Sequence, residues 1–312
     1  MQLDFEKIKE ITFGFVNAFC DDEGMHFRHC TDSQTKTWYG VSEKYGLRST
    51  YTTGAMIDVI TDAQTVTFTA KHGKFEVLLN GLLFEQYKLP ADEFKTVNVS
   101  LPKGENRFTL VFPSQTEGVL KDISFDSDNV KPYKYDRKFL FLGDSITQGW
   151  NASFDTNSYA HRVSNHFNAE RVIVGIGGTF FKPDAFEKID YNPDKVIVAF
   201  GCNDLKARKT KEQLYDKVYN YLKLVVDTYG KEKIIGIIPI WRWDEEKIFP
   251  MGTFAECRQI ISDIYDSFGC FTVDGYEIVP HIKEFYFDCL HPNDLGFAHM
   301  ADGIIKRIKD IV

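Results

Sequence analysis

Phe139-Leu140-Phe141-Leu142-Gly143-Asp144-Ser145-Ile146-Thr147-Gln148-Gly149 runs from four consecutive apolar residues into a polar turn bounded by glycines. An unbroken apolar run too short for a helix reads as a strand buried on both faces. Similar runs return at 172–174, 196–200, 234–238 and 271–273. Between them lie stretches with helical periodicity, at 159–167, 254–268 and 294–309. The clearest carries one stripe of Leu214, Val218, Tyr221, Leu222, Val225 and Val226. Buried strands alternating with amphipathic helices predict a parallel sheet with helices on both faces. Ligands of such sheets sit at the carboxyl ends of the strands. The residues that follow each apolar run are therefore where chemistry is expected.

Four stretches answer that description. Gly143-Asp144-Ser145 puts a hydroxyl on a strand-to-helix turn, where a helix N-terminus favours negative charge. Taken alone, Ser and Asp there read as a helix cap. Gly175-Ile176-Gly177-Gly178-Thr179 lets backbone N–H groups approach a ligand, as does any tight loop. Gly201-Cys202-Asn203-Asp204 offers a side-chain amide able to donate to a developing oxyanion, or to make an Asx turn. Asp288-Cys289-Leu290-His291-Pro292 places a carboxylate within reach of an imidazole ahead of the last helix. Together they supply a nucleophile, a base with its orienter, and oxyanion donors.

These four blocks, taken in order, resemble those of the SGNH hydrolase family, also called GDSL-type esterases, over residues 137–312. The resemblance implies a flavodoxin-like, three-layer α/β/α catalytic domain that uses no metal and no organic cofactor. It implies that Ser145 attacks an ester carbonyl, that His291 takes and returns the proton, and that Asp288 orients His291. The oxyanion hole would comprise the N–H groups of Ser145 and Gly178 and the amide of Asn203. One position departs from the pattern. The second block ordinarily carries Asn two residues before its first glycine, and Ile173 stands there.

The first 126 residues follow another rhythm. Val66, Phe68 and Ala70 alternate with threonines, and Phe75, Val77 and Leu79 lead into the hairpin signal Asn80-Gly81. With 97–101, 108–112, 123–125 and a hairpin around Asp21-Asp22-Glu23-Gly24, about eight short strands are expected, besides a short helix over 5–10. This predicts an all-β, jelly-roll-like sandwich domain. The polar stretch 126–136 carries Pro132, so the expected domains are 1–130 and 131–312. Such a two-domain arrangement resembles carbohydrate esterases, which implies O-acetyl groups on a carbohydrate as the substrate.

Trp241-Arg242-Trp243 follows the fourth run, and Trp150 follows the nucleophile turn. Trp150, Trp241 and Arg242 are candidates for stacking on or binding a substrate, with packing as the alternative. Trp38-Tyr39 could reach the site from the sandwich, with burial in the core as the favoured reading. His26 and His29 with Cys30 suggest a metal site only superficially, because residues three apart in a strand face opposite ways.

A net charge of −8 argues against nucleic acid or an anionic membrane surface as a partner. The amino terminus has no basic-then-apolar leader and no apolar run reaches roughly 18 residues, so a cytoplasmic protein with reduced cysteines is expected. The functional expectation is a serine esterase acting on a small-molecule or oligosaccharide ester, of unspecified oligomeric state. An acyltransferase and a non-catalytic glycan-binding protein are the rivals.

Overall fold

The computed structural model describes residues 3–312. They form two compact units: one runs to Thr35 and resumes over Leu47–Tyr135, and the other comprises Lys36–Gly46 and Asp136–Val312.

In the first unit, α1 (Phe5–Glu10) begins at Asp4, whose carboxylate accepts the Lys7 N–H at 3.0 Å. The strands follow as β1 (Thr12–Phe13), β2 (Asn17–Asp21), β3 (Gly24–Arg28), β4 (Met56–Thr61), β5 (Thr65–Lys71) and β6 (Gly73–Leu79). After them come β7 (Leu82–Leu89), β8 (Lys95–Ser100), β9 (Asn106–Val111), β10 (Val119–Phe125) and β11 (Val130–Pro132). One sheet has the order β1-β4-β9-β6-β7, with β11 also on β4; the other has the order β2-β3-β10-β5-β8. Neighbouring strands are antiparallel. The alternation in β5 works as read: Val66, Phe68 and Ala70 are wholly buried, while the threonines between them are partly exposed. They pack with Phe75, Phe108 and Phe112 of the other sheet, and burying each such ring contributes about 1.5–3 kcal/mol.

Two helices interrupt a stretch in which the strand-rich reading expected none, α2 (Asp32–Tyr39) and α3 (Glu43–Ser49). The cause is local. The Gln34 N–H donates to Thr31 Oγ1 and the Thr31 N–H donates to Gln34 Oε1, both at 3.0 Å, a reciprocal cap that starts α2. Trp38 is buried, whereas Tyr39 is 46% exposed. His26 lies between the Glu117 and Asp21 carboxylates, while His29 turns to the Arg48 carbonyl. Among the described residues no group of three or more His, Cys, Asp or Glu side chains is placed to hold a metal ion.

The second unit is a three-layer α/β/α sandwich. Its strands are β12 (Arg137–Gly143), β13 (Ala169–Gly175), β14 (Lys195–Ala199), β15 (Ile234–Ile238) and β16 (Phe271–Asp274). They are all parallel, in the order β13-β12-β14-β15-β16. Its helices are α4 (Ser145–Gln148), α5 (Tyr159–His166), α6 (Asp204–Ala207), α7 (Lys211–Tyr229), α8 (Phe254–Phe268), α9 (Gly275–Ile278) and α10 (Asp294–Ile308). On one face, α5 and α10 cover Phe139, Phe141, Ile173, Ile197 and Ile237. On the other, the Tyr265 ring of α8 lies so close to Gly236 that a Cβ there would meet it at 2.5 Å. Strand order reverses between β13 and β14, on either side of β12, so the crevice for a ligand opens at the end of β12. Among the described residues no helix is long and apolar enough to cross a membrane.

Candidate active site

β12 ends at Gly143, and α4 starts at Ser145. A Cβ on Gly143 would strike Thr147 Oγ1 at 2.0 Å, so only glycine lets the strand pass that close to the helix. Asp144 caps α4 by accepting the Ile146 N–H at 3.0 Å. This one-turn helix ends at Gly149, whose φ of 85° is left-handed. The turn leaves Ser145 Oγ 2.8 Å from His291 Nε2.

His291 reaches the serine from the loop before α10. Its Nδ1 lies 2.8 Å from Asp288 Oδ2 and 3.1 Å from Oδ1. Asp288 Oδ1 also accepts the backbone N–H groups of Leu290 and His291, each at 2.8 Å. Burial pushes the Asp288 carboxyl up, but the His291 backbone N–H, the His291 ring and the Leu290 N–H outweigh it and hold it below the usual carboxylate value. An anionic Asp288 assigns the proton to Nδ1 and leaves the Nε2 lone pair facing the serine hydroxyl.

The glycine loop is tied to the nucleophile turn by a hydrogen bond. The Gly177 N–H donates to Gln148 Oε1 at 2.8 Å, so that amide is spent inside the protein. Gly178 sits at φ 90°, and its N–H has no protein acceptor among the described residues; the same is true of the Ser145 N–H. Asn203 occupies the N-cap position of α6 without capping it. Its amide instead donates to the Thr179 carbonyl at 2.9 Å and, more weakly, to Asp144 Oδ2 at 3.3 Å. Of these three donors, the two backbone N–H groups are unengaged among the described residues.

Beneath this loop lie two buried acids. Burial raises the Asp144 carboxyl to about 7; its bond from Ile146 opposes the shift and the nearby Asp204 adds to it. Burial likewise raises Asp204 to about 6 against the pull of Arg208. Asp204 and Arg208 clamp the loop backbone: the Phe181 N–H donates to Asp204 and the Phe181 carbonyl accepts from Arg208. The sequence pattern gives no sign of the Gln148 contact, of the burial of Asp144 or of the Asp204–Arg208 clamp. Gln148 does lie in the nucleophile stretch itself, four residues from Asp144, on the helical spacing that puts two side chains on one face.

The remaining candidates lie in different settings. Trp150 is half-buried, and its N–H donates to the Ser145 carbonyl at 2.9 Å. Trp241 is 8% exposed; its indole N–H donates to Glu245, and its ring stacks on His281. Arg242 is 1% exposed, paired through two nitrogens with Asp244, and donates to the Cys202 carbonyl at 3.2 Å. Its guanidinium therefore braces the strand end that presents Asn203. The Cys202 thiol is pushed far up by burial, so it stays protonated.

By fold, the chain is similar to a salicylyl-acyltransferase from a tetracycline biosynthetic pathway, at 14% identity over 96% of this chain and 94% of that one, with a TM-score of 0.80. It is also similar to a family two carbohydrate esterase from Clostridium thermocellum solved in complex with cellohexaose, at 18% identity over 96% and 98%, TM-score 0.71. A family two carbohydrate esterase from Cellvibrio japonicus matches at 17% identity over 97% and 95%, TM-score 0.71. A search of curated proteins gave no match. The model of the GDSL-like lipase/acylhydrolase family matches residues 141–299, from within β12 into α10. That is just over half of the sequence and spans all four blocks, and the chain belongs to the GDSL-like lipase/acylhydrolase family.

Proposed function

We propose that the protein is a serine esterase that removes small acyl groups, O-acetyl groups on a carbohydrate in particular. The observation that carries the reading is the unbroken relay Asp288–His291–Ser145, with 2.8 Å contacts at both links, together with Ser145 and Gly178 N–H groups that have no acceptor among the described residues. His291 Nε2 takes the proton as Ser145 Oγ attacks the acyl carbon. The negative charge that develops on the carbonyl oxygen is met by the N–H groups of Ser145 and Gly178 and by the Asn203 amide. As the tetrahedral species collapses, His291 gives its proton to the departing alcohol, leaving an acyl-serine. Water, deprotonated by the same imidazole, then releases the acid. In the transition state Asn203 exchanges its long bond to Asp144 for one to the oxyanion. Its bond to Thr179 keeps the amide in place.

The carbohydrate assignment draws on the two-unit likeness to family two carbohydrate esterases. An acyltransferase whose fold is more similar still, at a TM-score of 0.80 against 0.71, makes transfer to a second alcohol the competing outcome, since water and alcohol would attack the same acyl-serine. The test is a panel of acetylated sugars and short aryl esters, with and without an added alcohol acceptor, for wild type and Ser145→Ala. Release of acetate from sugars by wild type alone is expected. Full activity in Ser145→Ala would remove the mechanism. Cleavage of aryl esters only would remove the carbohydrate assignment, and acyl transfer outpacing hydrolysis would make the protein a transferase. A chain inactive on every ester that still binds glycans would be a binding protein.

A further inference from the structure

The loop that carries Gly178 is fastened by backbone hydrogen bonds at Gly177, Thr179 and Phe181. Phe180 is the gap in that series: among the described residues, neither its N–H nor its carbonyl has a hydrogen-bond partner. Its ring is held instead. Trp38 meets it edge-on with centroids 6.1 Å apart at 79°, and Tyr45 does so at 6.3 Å and 84°. The Arg208 guanidinium lies 4.7 Å from the ring centroid. Trp38 and Tyr45 also meet each other edge-on at 5.9 Å, which closes the cage.

Both aromatic residues come from Lys36–Gly46, the early segment that belongs to the second compact unit. Local structure brings them together. The N–H groups of Val41 and Ser42 both donate to the Trp38 carbonyl, which ends α2, and Ser42 Oγ accepts the Tyr45 N–H at 3.3 Å, which starts α3. Gly46 allows the tight return, since a Cβ there would meet the Tyr39 ring at 2.1 Å. Trp38 and Tyr45 of this segment both meet the ring of Phe180, two residues beyond Gly178.

We infer that Trp38 and Tyr45 are positioning residues for acyl transfer: by caging Phe180 they hold the Gly178 N–H where the oxyanion forms. This rests on the reading of Ser145 as nucleophile and Gly178 as oxyanion donor. An edge-on aromatic cage fixes a ring in angle as well as distance, and the backbone at Phe180 has no other anchor. Losing the cage lets the donor drift by a fraction of an ångström. That weakens an interaction made only in the transition state and leaves ground-state binding intact.

The test is steady-state hydrolysis of a short aryl acetate by Trp38→Ala, Trp38→Phe, Phe180→Ala and the Trp38→Ala/Phe180→Ala pair. Trp38→Ala should lose about 10- to 100-fold in kcat with KM within about twofold, and Trp38→Phe should recover most of it. The double variant should fall no further than Phe180→Ala alone, because both remove the same restraint. A folded Trp38→Ala with wild-type kcat overturns the inference, as does a loss confined to KM or losses that multiply in the double variant. If Trp38→Ala does not fold, Tyr45→Leu paired with Phe180→Leu decides it by the same criteria. Ser145→Ala separates the two claims. Full activity there removes the nucleophile reading, whereas an inactive Ser145→Ala beside a wild-type-like Trp38→Ala removes only the cage.

Discussion

Asp288 and Asp144 both lie within one residue's reach of the Ser145–His291 pair, and their surroundings drive their proton affinities apart. Asp288 sits on a half-exposed loop, where two backbone N–H groups and an imidazole converge on its carboxylate and hold it ionised. Asp144 is 2% exposed, receives one firm backbone bond and faces a second buried acid, so its carboxyl rises to about 7. The same functional group serves two ends. On the loop its charge fixes a tautomer; under the sheet edge its suppressed charge keeps it a weak acceptor for Asn203, which stays available to a stronger one. Donor count and burial set that division.

The largest expected effect attacks the loop side. Asp288→Asn should lower kcat by roughly 10⁴-fold, because the amide presents a donor to Nδ1 and turns the wrong tautomer to Ser145, while Ser145→Ala should cost still more. A drop under tenfold for Asp288→Asn in steady-state hydrolysis would mean that His291 is oriented by something else. Next, Asn203→Ala should cost about 10²–10³ in kcat with KM nearly unchanged. A pure KM effect would move Asn203 from the transition state to substrate binding.

The pH dependence of folding sharpens the contrast further. Asp144 has a folded pKa raised from 3.8 to about 7, so its contribution to stability is full below pH 3.8 and is lost as pH rises through 7. Asp288, with a depressed folded pKa, contributes in the opposite sense: its share is present above the ordinary value and lost on acidification. Denaturant titrations of wild type should therefore show a loss of about 4 kcal/mol between pH 4 and 8 that is absent in Asp144→Asn. An unchanged slope would place the charge of Asp144 elsewhere. The smallest effect concerns His161, fully buried on α5 with neither ring nitrogen hydrogen-bonded and its pKa held well down by burial and by Arg171. The unfolded chain takes up a proton below about 6.5 that the fold refuses. Stability should therefore fall by up to about 1.4 kcal/mol per pH unit on acidification, and His161→Phe should abolish that slope.

The sheet was legible because each parallel strand is an uninterrupted apolar run, and its residues of interest lie next to it in sequence. Ser145 and Asn203 follow that rule, whereas Asp288 and His291 lie in the loop ahead of the last helix, well past the end of β16. What escaped was whatever depends on two distant turns meeting. Arg208 reads as an ordinary helix-end cation until Phe181 is seen beside it. Arg242 lies on the functional edge by sequence, yet Asp244 and the Cys202 carbonyl draw it inward to 1% exposure. In the first unit, Thr31-x-x-Gln34 was a readable helix start, overshadowed by the strands on either side. Alternation identifies faces of a sheet, and it is silent about an insertion that leaves the sheet.

Gln148 acts as a gauge block for the whole site. It sits on the same single helical turn as Ser145, and its side chain grips the Gly177 N–H of the opposing loop. Under the proposed mechanism, this bond helps set the spacing between the attacking oxygen and the loop that carries the Gly178 amide. Shortening that chain by a methylene, as in Gln148→Asn, would pull the two jaws out of step by roughly an ångström. A contact made at folding, between one side chain and one backbone amide, would thus pre-set part of the proposed site.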